Sequence, residues 1–573
     1  MARLTRWEPE DPKFWQETGS RIAWRTCGIT TFSLIFSFAT WFVMSAVVVR
    51  MPAIGFQFTT MELFWLAAIP GLASGILRLI HSNFIPVLGT HPVVSIATII
   101  KVLPMIWLGF AIQDLNTPWI TFMIIGFLCG MGGGDFSSFM PSTSIFFPKR
   151  LQGLAMGIQA GLGNFGVSIV QFVAPWIIGF AAIGTIAGGP QVFTKAEPVK
   201  GAITVTKDAQ TKRVTDVVVS KPELAAAIEV IRDESGMLKD VVLHETDTVK
   251  KIREEVKRDA QGKIVEVTPS KGMRIDVKRN DKGEITDVVV LNVAKKAMWL
   301  QNAAYIWVPF LVIAFILAVL FLKNVSLPSR GFKGQFEILS SKNRARTHTW
   351  NCTMTYITSF GSFSGFAAAF PMLIKTLYGG FEGAPDPLAY AYLGPLIGGA
   401  VRVITGGMFD KIGGSKGMHW TTLGQIGGVL FLAFGGYLTP TSVEQFQGFL
   451  WGMLWIFLMS GTNNAATFRQ YPIVFAYSPG KGAQMLGWTG AWAAFGPFVW
   501  NVLIGQSIAI TGNAKLFFLG LSAFYVYTLF INWWYYTRKG AERFDYGNSG
   551  GTWWDKLSDA EKNRMRQIDL GKA

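Results

Sequence analysis

Arg78 and Arg402 each sit inside an apolar stretch long enough to cross a membrane, at matching places in the two halves of the chain. Both segments read Gly-x-x-Arg-x-Ile, with another glycine eleven residues past the arginine: Gly75, Arg78, Ile80 and Gly89, then Gly399, Arg402, Ile404 and Gly413. A guanidinium in hydrocarbon costs about 2.5–3.5 kcal/mol on insertion scales and stays charged at physiological pH. A chain that accepts this cost twice, symmetrically, is expected to bind an anion between its halves. Two more ionisable residues lie near these positions. His81 follows Arg78 by three residues, on nearly the same helix face. It reads first as a neutral hydrogen-bonding side chain and second as a proton relay. Asp135, in Gly132-Gly-Gly-Asp135-Phe136, is costly inside a span unless paired or protonated. It could salt-bridge an arginine, carry a proton or bond nearby backbone. His81 and Asp135 are therefore the candidates for proton coupling.

The elements that must position these residues are transmembrane helices. The 573-residue chain is 50% hydrophobic and 15% charged, with 62 glycines, 45 phenylalanines and 21 tryptophans, the profile of a polytopic membrane protein. Its net charge of +16 does not indicate nucleic acid, because the basic residues lie between the apolar spans, where topology accounts for them. Cys27, Cys129 and Cys352 are too scattered for a disulfide framework or a metal site. Without a metal cluster, nucleophile constellation or nucleotide loop, the sequence does not read as an enzyme and calls for no cofactor. Twelve spans are expected, Cys27–Val49 the first and Leu516–Tyr535 the last, in two halves of six. Basic residues alternate between connecting segments so that both termini are expected in the cytoplasm. The expected division is an N-terminal half of five helices over 1–187, a sixth helix over 298–323, a basic linker over 324–348, a C-terminal half over 349–540 and a cytoplasmic tail over 541–573.

Residues 188–297 break the helical pattern. Gly236-Met-Leu-Lys-Asp-Val, Gly262-Lys-Ile-Val-Glu-Val and Gly283-Glu-Ile-Thr-Asp-Val repeat Gly-x-apolar-x-acid-Val, and Lys212-Arg-Val-Thr-Asp-Val is a fourth copy without the glycine. A polar turn followed by period-two alternation predicts short strands in hairpins, so a small β-rich extracytoplasmic module is expected. Glu223–Ile231 reads as a short helix. The module is either a tolerated insertion or a surface for a protein partner. In the tail, Ser558 with Glu561 predicts a capping box for a surface helix.

The fifth and eleventh spans are a second matched pair. Gly157-Ile-Gln-Ala160-Gly161-Leu-Gly163-Asn164-Phe165-Gly166 aligns with Gly487-Trp-Thr-Gly490-Ala491-Trp-Ala493-Ala494-Phe495-Gly496. Small residues permit close approach of a neighbouring helix or of a ligand, and Gly163 and Gly490 are expected to line a narrow crevice for a small flat solute. These two stretches with the two arginines resemble the nitrate/nitrite porter family of the major facilitator superfamily. Thr355-Tyr356-Ile-Thr-Ser-Phe360-Gly resembles the family's seventh helix, Ala466-Thr467-Phe468-Arg469-Gln470 the end of its tenth, and Gly406-Gly-Met-Phe-Asp410-Lys411-Ile-Gly413 the superfamily's loop after the eighth. The likeness spans about residues 24 to 540 except 188–297. It implies the all-α major facilitator fold in the cytoplasmic (inner) membrane. It further implies that Arg78 and Arg402 grip nitrate or nitrite, that Tyr356 and Asn164 hydrogen-bond the oxyanion, and that Phe360 flanks it.

The resemblance leaves the coupling open. Nitrate/nitrite exchange is the first reading, because an empty site with two charges is costly to close around. Proton-coupled nitrate symport is the alternative that Asp135 and His81 keep alive. A nitrate receptor signalling through 188–297 is the reading from another class.

Overall fold

The computed structural model describes residues 4–81, 84–181, 188–208, 210–211, 213–234, 236–253, 256–280, 283–325, 344–547 and 551–569. Most of the basic linker, 326–343, lies outside the described residues. Ten helices among the described residues are long and apolar enough to cross a membrane: α1 (Pro12–Val47), α2 (Thr60–His81), α3 (Thr90–Ala111), α4 (Trp119–Ser144), α5 (Arg150–Ile177), α6 (Asn302–Phe321), α7 (Arg346–Tyr378), α8 (Pro387–Ile412), α11 (Met485–Thr511) and α12 (Lys515–Thr537). Two further long helices, α9 (Gly414–Phe434) and α10 (Phe446–Val474), complete the expected twelve. Both are less uniformly apolar because they bury polar side chains against each other: Asn463 of α10 donates to Thr422 (2.9 Å) and Gln425 (3.2 Å) of α9. An interior packed this way needs less hydrocarbon-like sequence than one facing lipid.

Glycine sets how closely these helices approach. A Cβ on Gly132 of α4 would lie 2.0 Å from the Ser37 carbonyl oxygen of α1, and one on Gly133 would lie 2.1 Å from Ser74 Oγ of α2. The glycine run of α4 is therefore pressed against two neighbours at backbone distance. The glycines eleven residues past the two arginines also share a reason: Gly89 has φ 85° and Gly413 φ 95°, where a side chain would be strained. Gly413 ends the helix carrying Arg402, Gly89 follows the short helix Phe84–Leu88, and both turn the chain into the next helix.

The insertion folds as β1 (Gln191–Pro198), β2 (Ile203–Lys207), β3 (Val214–Val219), β4 (Ile228–Arg232), β5 (Leu238–Leu243), β6 (Val256–Arg258), β7 (Ile264–Val267), β8 (Ser270–Arg279) and β9 (Ile285–Met298). Antiparallel pairing gives four hairpins, β2–β3, β4–β5, β6–β7 and β8–β9, with β1 added to the other edge of β9. The sequence repeat is a hairpin repeat. Gly236, Gly262 and Gly283 have φ near +80° (80°, 79° and 77°). In each of these turns an Asp or Asn side chain (Asp233, Asp259, Asn280) accepts the amide N–H four residues on, at 2.8–2.9 Å. The preceding arginine (Arg232, Arg258, Arg279) donates to the glycine carbonyl at 3.0–3.2 Å. The expected helix over Glu223–Ile231 is not formed. Only Pro222–Leu224 makes a 3-10 turn, and Ile228–Arg232 is β4, because its alternating Ile228, Val230 face pairs with β5.

On the membrane face that bears this insertion, the two halves are tied together. Arg50 grips both oxygens of Asp386 at 2.6 Å, Lys375 Nζ donates to the Val49 carbonyl at 2.7 Å, and Gln171 donates to the Ala367 carbonyl at 2.8 Å. The insertion touches both sides of that seam: Phe193 lies over the Arg50 guanidinium (5.6 Å), and the Lys200 amide donates to Glu382 (3.1 Å). At the other end of the chain, Ser558 and Glu561 form their reciprocal cap on α13 (Asp559–Asp569). The segment before it docks under the C-terminal half, where Asp545 accepts the Gly414 amide at 2.8 Å.

Replacing Gly262 or Gly283 by valine forces a branched side chain into positive φ, at a cost of about 1–3 kcal/mol. Limited proteolysis of the purified protein should then cut faster within 188–297, while a cleavage rate equal to wild type would contradict the turn geometry.

Candidate functional site

The glycine run of α4 does more than pack. It presents the Gly133 carbonyl to Arg78, whose Nε donates to it at 2.8 Å. Arg78 Nη1 crosses to the other half and donates to the Gly490 carbonyl of α11 at 2.9 Å. Three rings surround the same guanidinium: Phe136 at 4.9 Å, Phe360 at 5.2 Å and Trp41 at 5.5 Å. Arg402 of α8 lies 4.9 Å from the Phe468 ring. Each cation–π contact is worth about 0.5–2 kcal/mol when desolvated, so rings and carbonyls replace part of the lost hydration without neutralising the charge. Among the described residues neither arginine has a carboxylate within ion-pair distance, and Nη2 of both is buried without a hydrogen-bond partner.

A chain of aromatic rings joins the two arginines. Phe360, against Arg78, stacks on Tyr356 (5.9 Å, 17°), and Tyr356 meets the edge of Phe468 (6.4 Å), the ring under Arg402. Tyr356 and Phe360 share one face of α7 because they are four residues apart, and the helix carries a π-turn over Ile357–Gly361, a distortion common at functional sites. Arg78, Arg402, Tyr356 and Phe360 are thus brought together, all buried.

The repeated Gly-x-x-Arg glycines have a shared partner. A Cβ on Gly75 would lie 2.5 Å from the Phe495 ring of α11, and one on Gly399 would lie 4.0 Å from the Phe165 ring of α5. Each arginine helix therefore meets the phenylalanine of the glycine-rich helix in the opposite half. Asn164 of α5 is buried; its amide nitrogen donates to the Ala160 carbonyl at 2.6 Å, and its amide oxygen has no partner. Two expectations change. Gly163 does not line the crevice: its Cβ would meet Leu34 of α1 at 2.7 Å, because the residue lies on the packing face of α5. Gly490 is at the site, but its carbonyl is occupied by Arg78, and the space where a side chain would stand is open.

Asp135 does not salt-bridge an arginine among the described residues. Its partner is Lys101 of α3: Lys101 Nζ pairs with Asp135 Oδ2, which accepts Ser37 Oγ at 2.7 Å as well. Lys101 and Asp135 are both fully buried. His81 Nδ1 lies 3.3 Å from Ser138 Oγ and 3.7 Å from Asp135 Oδ1. Lys101 is the polar residue the sequence reading missed, although a lysine in the middle of the third span was the available signal. Phe468, Phe136 and Trp41 were missed because a phenylalanine or tryptophan in an apolar span carries no signal of its own.

Comparison of folds supplies the class. The chain aligns with the crystal structure of the human organic anion transporter MFSD10 (TETRAN) at TM-score 0.50 and 10% identity, covering 89% of this chain and 99% of that one. It aligns with the xylose transporter XylE from E. coli, in a partially occluded inward open conformation, at TM-score 0.50 and 11% identity, covering 90% and 97%. The fold is that of a major facilitator transporter, a multi-pass membrane protein. No protein-family model matches the chain. Sequence relatives narrow the class. The probable nitrate/nitrite antiporter NarK2 of Thermus thermophilus is 42% identical over 540 residues, 94% of this chain and 98% of that protein. The nitrate/nitrite transporters NarU of Salmonella typhimurium and Escherichia coli are each 29% identical, covering 94% of this chain and 96% of theirs. The chain belongs to the nitrate/nitrite porter family of the major facilitator superfamily.

The packing makes a contrast between two glycines. Gly132→Val should destabilise the protein by about 1–3 kcal/mol or more through overpacking, whereas Gly490→Ala should leave thermal stability near wild type. Equal melting temperatures for Gly132→Val and wild type in a thermal-shift assay would show that α4 does not need this approach.

Proposed function

We propose that this protein carries nitrate and nitrite across the cytoplasmic membrane by alternating access, exchanging one for the other. The observation that carries the reading is the pair of buried arginines from opposite halves, joined through Phe360, Tyr356 and Phe468 and lacking an acidic partner among the described residues. A guanidinium is a planar fork that suits a planar or bent oxyanion, and its charge-assisted hydrogen bonds strengthen where water is excluded. The unpartnered Nη2 atoms of Arg78 and Arg402 are the donors such an anion would take. The names of the relatives, nitrate/nitrite antiporter and nitrate/nitrite transporters, support the substrate.

Charge accounting supports exchange. Lys101 and Asp135 offset each other, so the buried charge at the site is that of two arginines. Closing the halves around two unneutralised cations is costly in a low dielectric, and one bound monoanion offsets part of the cost. The loaded carrier reorients more easily than the empty one. With both termini cytoplasmic, as the distribution of basic residues favours, the seam closed by Arg50 and Asp386 is the outer gate and the β-rich insertion lies outside the cell membrane. Rocking the halves would break the Arg78–Gly490 bond on one stroke and remake it on the other.

Two measurements test this. In proteoliposomes, internal nitrite should drive nitrate uptake without a pH gradient; uptake that requires an inward proton gradient and no internal anion would replace exchange with proton symport, with His81 and Asp135 as its candidates. Arg78→Lys and Arg402→Lys keep the charge but lose the fork, and each should weaken nitrate transport by about 10–100-fold, the value of a lost charge-assisted hydrogen bond. Near-normal affinity in either variant would remove that arginine from the site. Deleting 188–297 should leave exchange intact, and lost transport in a folded deletion variant would give the insertion a part in the cycle.

A further inference from the structure

The β-rich insertion has no task in the transport cycle described so far, yet it meets the helices at the seam between the halves. It is built on the N-terminal half. β1 and β9 pair antiparallel, with Gln191 opposite Met298 and Pro198 opposite Leu291. Gln191 fastens this ribbon to the chain entering α6: its Oε1 accepts the Leu300 amide at 3.0 Å, and its Nε2 donates to Gln301 Oε1 at 2.8 Å. The Trp299 amide donates to the Ile178 carbonyl, just past α5, at 2.8 Å. From this base the insertion reaches the seam at two points. Phe193 of β1 lies over Arg50, whose Nη2 bonds both oxygens of Asp386 in the other half. Lys200, beyond the end of β1, gives its amide to the Glu382 carboxylate, in the segment between α7 and α8.

We propose that the insertion is a clasp on this seam, which stabilises the conformation closed on its own face and lowers the fraction of carriers open there. The two contacts act differently. The Lys200–Glu382 bond joins the halves directly and is lost when they part. Phe193 stays with Arg50, because both belong to the N-terminal half. The ring is buried and covers the guanidinium, and the Arg50 side chain is only 12% exposed against 47% for Asp386. A fully exposed ion pair contributes little, since water replaces the partner. A partly desolvated arginine without its carboxylate is less well solvated, so the ring makes separation from Asp386 more costly. Asp386 is held ready for this contact, because it also accepts the Leu388 amide at the start of α8 at 3.0 Å. Fewer open carriers mean a lower apparent affinity for anion arriving at this face. Exchange itself does not require the clasp, since none of its residues touches Arg78 or Arg402.

The inference rests on the reading of the Arg50–Asp386 seam as a gate, and the test separates the two. Ser45 lies one helical turn inside Val49, where Gln171 bonds both the Ser45 hydroxyl (3.1 Å) and the Ala367 carbonyl of the other half (2.8 Å). Ser45→Cys therefore places a thiol beneath the seam, and the native Cys27, Cys129 and Cys352 are all buried. The full-length protein in right-side-out vesicles is labelled from the insertion face with a membrane-impermeant maleimide, with the chain lacking Ser45→Cys as background. Added to this reporter, Phe193→Ala with Glu382→Ala should raise the labelling rate about threefold or more, the scale of one or two lost surface contacts. Glu382→Ala alone lies outside the insertion and should raise it in the same direction, which decides the matter if Phe193→Ala misfolds. Asp386→Ala reports on the gate itself. A rise with Asp386→Ala but none with the clasp variants would overturn the clasp and leave the gate. No rise with Asp386→Ala would remove the gate, and the clasp with it.

Discussion

The structure is organised around one constraint: two guanidinium groups are buried with no carboxylate within ion-pair distance among the described residues. Each element near them answers part of that demand. The α4 glycines bring a backbone carbonyl to Arg78, α11 supplies another from the opposite half, and α7 presents Phe360 and Tyr356, four residues apart, on one face. Carbonyls and rings solvate a cation without discharging it, which preserves its pull on an anion. The other buried charges of the N-terminal half, Lys101 and Asp135, pair with each other.

The constraint also accounts for the internal symmetry. Each Gly-x-x-Arg glycine faces the phenylalanine of the glycine-rich helix across the interface, Gly75 against Phe495 and Gly399 against Phe165. The contact is tight on one diagonal and loose on the other. A carrier whose halves are related by an approximate two-fold can exchange which diagonal is tight as it rocks. The seam between Arg50 and Asp386 shows which face is shut in this conformation.

Much of this was legible in the residues. Twelve spans, the matched arginines, the paired glycine-rich helices and the hairpin repeat all follow from periodicity, charge and self-similarity. What escaped has physical reasons. Gly163 and Gly490 are alike in sequence, and only the three-dimensional neighbours show one against Leu34 and the other facing open space. Phe468 acts through its position beneath Arg402, which spacing along two different helices does not reveal. Lys101 was visible as a charge inside a span, but its meaning lies in Asp135, thirty-four residues away in sequence. Ile228 and Val230 belong to a strand because β5 is beside them, a tertiary fact that overrides local helical pattern.

The proposed transport depends on both arginines holding a single anion at once. Isothermal titration of the purified protein with nitrate addresses it directly through stoichiometry. One nitrate per chain is expected, with binding lost when either Arg78 or Arg402 is replaced by alanine. Two nitrates per chain, each abolished by a different arginine substitution, would show two separate sites and contradict it.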